Sequence, residues 1–186
     1  MIHNLLIYLS AGPAEGYSTG ILVNGDVVID GGATVNAASG PALVSSLGIA
    51  ANVVVIDGAV VNAVSGPAIV SNGILLRGNM SIKNATVTAA GHTSAFSKRY
   101  VVPVGFTYYL NTAIDPSDEK LTSDGSAAIE TSHKYAKIMM PAQTPGDGDG
   151  GNTGGGDDGG SNTLIVAVAA AAVIGVLAYF FLLKKP

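Results

Sequence analysis

The chain contains no cysteine and no tryptophan, and it is poor in charge. Only 12% of its 186 residues are charged, about half the fraction of an average soluble domain. Without cysteine, disulfide frameworks and thiolate metal sites are excluded. The net charge of −4 is small, and the sequence has no basic stripe of the kind that nucleic-acid binding usually needs. We therefore expect no nucleic-acid partner, no cofactor and no metal site.

Positive charge is also missing from the beginning of the chain. No lysine or arginine precedes Arg77. A secretory signal peptide opens with a positive segment before its apolar run, whereas residues 1–10 offer only His3. We therefore predict no signal peptide. Glycine and proline mark turns in the first stretch, and we interpret residues 1–19 as an incomplete N-terminal coil or cap.

A repeated phrase organises residues 20–92. It reads Val-Val-Ile-Asp-Gly-Gly-Ala-Thr-Val-Asn-Ala from Val27, returns from Val54, and recurs in a more divergent form from Met80. The equivalent isoleucines recur at intervals of 27 and 26 residues: Ile29, Ile56 and Ile82. A fixed period of this size indicates a repeat architecture. Each period holds three short β-like runs between Gly, Asn and Asp turns. We therefore predict an all-β fold, a short right-handed parallel β-helix.

Alternation within each copy predicts which side chains face the core. We expect inward ladders of similar residues at Val27/Val54/Met80, Ile29/Ile56/Ile82, Val35/Val61/Val87 and Ala37/Ala63/Ala89. Two further ladders are expected to face outward or into turns: Asp30, Asp57 and Lys83, and Asn36, Asn62 and Thr88. A hairpin meander could hold the same strands, but it would not explain why the same residue types return at a fixed period.

Residues 93–143 no longer carry the phrase. Tyr100–Leu110 and Ala127–Met140 are strand-like, and we interpret this segment as a small β unit that closes the C-terminal end of the solenoid. The opposite end has little cap, so its first coil is expected to leave backbone groups unpaired. The missing cap and the missing signal peptide favour the hypothesis that the chain is the C-terminal part of a longer protein.

Residues 144–163 are predicted to be a disordered linker. They consist mainly of Gly, Asp, Asn, Thr and Ser, and such a composition cannot bury a core. Glycine-rich chains of this kind are flexible tethers. The four aspartates lack the EF-hand spacing and its terminal glutamate, so we expect a solvated spacer and not a calcium site.

The segment Leu164–Leu183 is continuously apolar over twenty residues. As a helix it would span ~30 Å, the thickness of a bilayer core. Lys184 and Lys185 follow at once, in a tail of residues 184–186. By the positive-inside rule we predict a single-pass plasma-membrane protein with a cytoplasmic C-terminus and an extracellular β domain. A tail-anchored protein with a cytoplasmic β domain is also compatible with a chain that begins without a signal peptide.

The repeat phrases resemble the coils of a known class of surface protein. Val-Ile-Asp-Gly-Gly-Ala-Thr-Val-Asn-Ala and Gly-Pro-Ala-Ile-Val-Ser-Asn-Gly-Ile resemble pectin-lyase-like right-handed parallel β-helix regions of Gram-positive bacterial surface proteins. Thr107–Thr112 and His133–Ile138 look like the segments that close such regions. The resemblance covers about residues 20–186 and implies a carbohydrate-binding type with a C-terminal membrane anchor. No Leu-Pro-x-Thr-Gly motif precedes Leu164, so covalent attachment to a cell wall is not expected.

The ladder of Asn36, Asn62 and Thr88 is the first candidate site. It offers a row of donors and acceptors for a sugar, although Asn ladders also form by mutual hydrogen bonding. Tyr108 and Tyr109 are adjacent on a strand and point to opposite faces, so at most one can join a given sugar-stacking surface.

The ladder of Asp30, Asp57 and Lys83 is the second candidate. Stacked carboxylates serve acid–base chemistry in lyases and hydrolases of the β-helix fold. Here the third position is a lysine, and an aspartate before glycine is common in turns for conformational reasons. The histidines have no metal-ligand spacing. We therefore predict that the chain is not an enzyme.

These observations favour a membrane-anchored, outward-facing protein with a binding or adhesive role and a glycan as partner. Two alternatives stay open at the level of sequence. One is a polysaccharide lyase or hydrolase, which should place Arg or Lys beside stacked carboxylates in a groove. The other is a structural stalk, the end of a longer surface protein.

The predicted orientation is testable by protease accessibility. In intact cells that express the chain, we expect an added protease to digest the β domain and leave a fragment containing residues 164–186, since the bilayer protects that segment. A cytoplasmic protein of the same cells is the control for lysis. Protection that disappears only on permeabilisation would contradict the extracellular assignment, and adding a signal peptide to the same chain would distinguish a failed export from a tail-anchored protein.

Overall fold

The computed structural model describes residues 6–114 and 121–140, which form sixteen β-strands and no helix. The strands are β1 Leu6–Ala11, β2 Tyr17–Leu22, β3 Val27–Ile29, β4 Thr34–Ser39, β5 Ser45–Ala51, β6 Val54–Asp57, β7 Val60–Val64, β8 Val70–Leu76, β9 Met80–Lys83, β10 Thr86–Ala90, β11 Ser94–Phe96, β12 Tyr100–Val101, β13 Thr107–Asn111, β14 Leu121–Thr122, β15 Ala128–Ile129 and β16 Tyr135–Met139. The predicted linker, apolar segment and tail lie outside the described residues.

The first eleven strands wind into a β-solenoid of about four turns. Each turn contributes one strand to each of three parallel stacks, and the last turn contributes to two of them. The first stack is β1-β4-β7-β10, the second is β2-β5-β8-β11, and the third is β3-β6-β9. This arrangement confirms the prediction of an all-β solenoid repeat. Within the part of the chain that the structure describes, no helix is long and apolar enough to cross a membrane.

The register between turns explains the period seen in the sequence. In the first stack, equivalent residues are 28, 26 and 26 positions apart, from Leu6 to Thr34, Val60 and Thr86. In the second stack the offsets shorten to 28, 25 and 22. Strand pairing therefore stays in step while the corner loops absorb the changes in length. Residues 6–19, interpreted from sequence as an incomplete coil or cap, supply β1 and the start of β2.

The core is a narrow column of small and branched apolar side chains. The inward ladders predicted from alternation are buried: Val35, Val61 and Val87, Ala37, Ala63 and Ala89, and Ile29, Ile56 and Ile82. Val54 is fully buried, while Val27 and Met80 are partly buried against the same cluster. Because equivalent residues stack at ~4.8 Å, each level of the column must accept nearly the same shape as its neighbour.

The corner between the first and second stacks holds buried serines. The Oγ atoms of Ser39 and Ser46 are 2.8 Å apart, and Ser46 Oγ also donates to the carbonyl oxygen of Gly40 at 2.8 Å. One turn later, the Oγ atoms of Ser65 and Ser71 are 2.9 Å apart. A buried hydroxyl is costly unless it is hydrogen-bonded. Here each of these hydroxyls bonds the other serine of the same turn, so the buried polar groups of the corner satisfy one another.

A row of glycines on the second stack packs against the first stack, and Gly48 is its middle member. A Cβ at Gly48 would lie 2.5 Å from the carbonyl oxygen of Gly73 and 2.8 Å from the amide nitrogen of Val64. Both atoms belong to backbone, so neither can move aside as a side chain would. Glycine is therefore required at this position by the packing of one sheet on another.

The parallel stack ends where β16 pairs antiparallel with β10. β13 then pairs antiparallel with β16, and the two-residue β14 pairs with β13 to end a seven-stranded sheet. β12 and β15 form a small antiparallel pair of their own. These strands supply partners for the last turn of the solenoid.

Replacement of Gly48 by alanine should destabilise the solenoid because the new methyl group meets two backbone atoms. We expect the free energy of unfolding to fall by about 1–3 kcal/mol, the usual cost of overpacking. Gly16→Ala is the matched control, since its Cβ would meet no atom within 4 Å. Urea unfolding followed by far-ultraviolet circular dichroism measures the difference, and equal stabilities for the two variants would contradict the packing argument.

Two tyrosines near the closed end predict a loss of stability at high pH. Burial raises the pKa of both Tyr100 and Tyr135 from 10.0 to about 12. Between pH 10 and 12 the unfolded chain therefore loses phenol protons that the folded chain keeps, so stability falls as pH rises through this window and does not respond to these groups below it. The double variant Tyr100→Phe, Tyr135→Phe should show a shallower fall in unfolding free energy across the window. An identical slope in the parent and the variant would refute this assignment.

Candidate ligand-binding face

The outward face of the seven-stranded sheet brings most of the first set of candidate residues together. Register places Asn36 beside Asn62, and Asn62 beside Thr88. The same row continues in both directions, to Tyr8 on β1 and to Lys137 and then Tyr109 on the closing strands. We call these six residues the outward row: Tyr8, Asn36, Asn62, Thr88, Lys137 and Tyr109. It crosses six strands, with a tyrosine at each end.

The middle of the outward row is tightly packed. Asn62 is 6% exposed and Thr88 is 4% exposed. The Nδ2 atom of Asn62 donates to the Oδ1 atom of Asn36 at 2.8 Å, which is the mutual hydrogen bond expected of an Asn ladder. A side-chain amide has two N–H groups and an oxygen with two lone pairs, so this single bond does not use its full capacity. The ladder residues thus form the floor of the face.

The ends of the outward row are its accessible parts. Tyr8 is 63% exposed, and both Lys137 and Tyr109 are half-buried. The Nζ atom of Lys137 lies 5.9 Å from the centre of the Tyr109 ring, at the outer limit of a cation–π contact. This contact holds an ammonium group and an aromatic ring side by side on the outer surface.

The two adjacent tyrosines separate as strand alternation requires. Tyr109 pairs with Lys137 and belongs to the outward row. Tyr108 pairs with the fully buried Ile138 and packs against the core. Of these two adjacent tyrosines, only Tyr109 can therefore offer its aromatic ring to a ligand on the outward face.

Charge on this sheet is confined to one residue. Among the described strands of the seven-stranded sheet, Lys137 is the only formally charged side chain, and there is no aspartate or glutamate. The face therefore supplies hydrogen-bonding groups, aromatic rings and one cation, but no carboxylate for acid–base chemistry.

The ladder of Asp30, Asp57 and Lys83 lies on the third stack. Asp57 and Lys83 are neighbours in register, and the Nδ2 atom of Asn84 donates to Asp57 Oδ1 at 3.3 Å. Gly58 has φ +62°, a left-handed conformation that favours glycine. The Asp-Gly sequence thus has a conformational role in the turn, beside an opposite charge one coil later. Across residues 6–114 and 121–140, no cluster of three or more His, Cys, Asp and Glu could hold a metal ion.

Several features of the surface escape the sequence pattern. Tyr8 and Lys137 lie outside the repeats, so their places in the outward row follow only from strand pairing. The serine corner did carry a signal, because a serine precedes Gly-Pro in both copies, and the second corner serine follows the Pro-Ala pair by four residues in the first copy (Ser46) and by three in the second (Ser71). The same corner exposes Leu43 and Ile69, and Leu43 borders a shallow, open groove together with Pro13, Pro41 and Ala42.

No family model, no curated protein and no solved structure matches this chain.

Proposed function

We propose that this chain is a membrane-anchored cell-surface protein that binds carbohydrate through the outward row. The observation that carries the proposal is the register that places Asn36, Asn62, Thr88, Lys137 and Tyr109 side by side on one face. A binding or adhesive role fits this face better than catalysis, because the strands of the sheet contribute no carboxylate.

The chemistry of the row suits an extended sugar chain. The Tyr109 ring offers a flat apolar surface for a sugar ring, and the Lys137 ammonium offers three hydrogen-bond donors beside it. Asn36 continues the row with amide groups that are half exposed. Strands lie about 4.8 Å apart, so the five steps of the row extend over roughly 24 Å, with the accessible groups towards its two ends. A linear ligand can follow such a row, whereas a small ligand would find little enclosure.

The placement at a membrane is proposed from sequence alone. Leu164–Leu183 would form a single transmembrane helix, and Lys184 and Lys185 would hold the C-terminus in the cytoplasm. Residues 144–163 would tether the β domain on the outer side. In this proposal the coils are right-handed and of the pectin-lyase-like type found on Gram-positive bacteria, in keeping with the resemblance of the repeat phrases and with the strong right-handed preference of parallel β crossovers.

A structural stalk is the second candidate function. It is favoured by the hydrogen bond between Asn62 and Asn36, which satisfies part of the ladder within the protein. In a stalk the ladder would stiffen the stack of coils and would need no ligand. The two functions differ in what a change at Tyr109 does, since that side chain lies on the surface and is not part of the ladder bond.

Binding to immobilised oligosaccharides tests the proposal. We expect the full chain in detergent micelles to bind one class of glycan, and Tyr109→Leu to weaken that binding by roughly tenfold, or ~1.4 kcal/mol, through the loss of ring stacking. Tyr17→Leu is the matched control, because Tyr17 is 73% exposed but lies on the second stack. Binding that is equally strong in the parent and in Tyr109→Leu, or that is lost only in Tyr17→Leu, would overturn the assignment of this face. No binding to any glycan would favour the stalk.

A further inference from the structure

The outermost strands at the two ends of the solenoid differ in whether further strands pair with them. At the C-terminal end, β10 is paired by β16, and the amide of Ala95 on β11 donates to the carbonyl oxygen of His133 at 2.7 Å. At the other end, β1, β2 and β3 are the terminal strands of their stacks within the described residues. Among the described residues, antiparallel strands thus continue the seven-stranded sheet beyond β10 at one end, whereas β1 is its terminal strand at the other; β9 and β11 are terminal strands of the two other stacks.

Strand β1 carries none of the features that usually protect an edge. Proteins protect exposed edges with charges, proline, bulges or very short strands. β1 is six residues long, reads Leu-Ile-Tyr-Leu-Ser-Ala, and contains neither charge nor proline. Tyr8 is 63% exposed and Leu9 is 42% exposed. By contrast, β14 at the far edge of the same sheet is only two residues long.

Hydrogen-bond geometry identifies the free backbone groups of β1. The carbonyl oxygen of Ala11 accepts from the amide of Gly40 at 2.8 Å, so the backbone of Ala11 faces the inner neighbour β4. The backbone groups of successive residues in a strand point to alternate sides. Those of Tyr8 and Ser10 therefore face the open edge. The side chains of Ile7 and Leu9 face inward, because they stand in register with the buried Val35 and Ala37.

We propose that β1 pairs antiparallel with β1 of a second copy of this chain, on a two-fold axis at Tyr8. This register places Tyr8 opposite its own copy and Leu6 opposite Ser10. It also places Ile7 opposite Leu9, so that two inward apolar side chains from each copy join the two cores. The edge is self-complementary in this register, as an isologous interface requires. The two seven-stranded sheets become one continuous sheet.

The antiparallel strands explain why association stops at two copies. A head-to-tail contact would generate a filament, but it needs an open edge at both ends of the molecule. In the seven-stranded sheet, β10 is already paired by β16, and the far edge of the sheet is the two-residue β14. The long edge that a second copy can offer to β1 within this sheet is therefore its own β1. A six-residue strand is about 20 Å long, so the buried area lies near the lower end for specific interfaces. We expect a dimer that dissociates on dilution in the micromolar range.

Single cysteines test the register, because the chain has none of its own. In a hydrogen-bonded antiparallel pair the Cα atoms lie about 5.5 Å apart, a separation that a disulfide spans. The full chain in detergent micelles should form a covalent dimer rapidly as Tyr8→Cys and at least tenfold more slowly as Tyr17→Cys. Tyr17 is an equally exposed tyrosine at the same end, but it lies off the proposed axis. Equal cross-linking of the two variants would overturn the proposal.

The backbone contribution is tested at Ser10, whose side chain is exposed. Ser10→Pro removes the amide hydrogen that faces the open edge, whereas Ser10→Ala keeps it. Sedimentation equilibrium of the full chain should give at least tenfold weaker dimerisation for Ser10→Pro and an unchanged constant for Ser10→Ala. Unchanged dimerisation in Ser10→Pro, or a parent that is monomeric at about 100 µM, would also overturn the proposal. If Ser10→Pro fails to fold, as judged by circular dichroism, the cross-linking comparison still decides.

Discussion

Parallel pairing of each strand with its equivalent one turn later is the interaction on which the rest of the structure depends. It fixes a spacing of ~4.8 Å between equivalent side chains, so each residue of the column contacts its equivalent in the next turn, which is often the same residue type. Valine stacks on valine from Val35 to Val87, and alanine on alanine from Ala37 to Ala89. A larger side chain at one level would press on the levels above and below. A similar steric constraint applies at Gly48, where backbone atoms leave no room for a side chain.

The same constraint governs the polar groups inside. A repeat that buries one serine buries its equivalents as well, and each would carry the cost of an unbonded hydroxyl. The structure meets this cost by pairing serines within a turn, as Ser39 and Ser46 do, and by pairing amides between turns, as Asn36 and Asn62 do. Among the residues described, no buried side-chain nitrogen or oxygen lacks a hydrogen-bond partner. Because the turns repeat, a hydrogen bond that satisfies a buried polar group in one turn recurs in the next.

Repetition also builds the surface. A ladder that faces outward becomes a straight row of like groups, and the antiparallel closing strands extend that row with residues of a different kind, Lys137 and Tyr109. The antiparallel strands therefore add new residue types to the surface and also supply hydrogen-bond partners for the backbone of β10. The other end of the sheet has no such strands in the described residues, and β1 keeps both its apolar side chains and its edge exposed. The proposed binding face and the proposed dimer edge belong to the same sheet. The face includes residues of the antiparallel strands at one end of this sheet, and the dimer edge is β1 at its other end.

The sequence by itself determined the repeat and the inward ladders, because period and alternation are local properties of the chain. It also determined that Tyr108 and Tyr109 must face opposite ways. It did not determine which of the two faces outward, nor that Tyr8 and Lys137 would join the same row, since these depend on pairing between strands far apart in the chain. Only the tertiary structure decided these placements. The antiparallel strands are not repeats of one another, so the sequence does not show their register. The direction of their side chains depends on the strand with which each of them pairs.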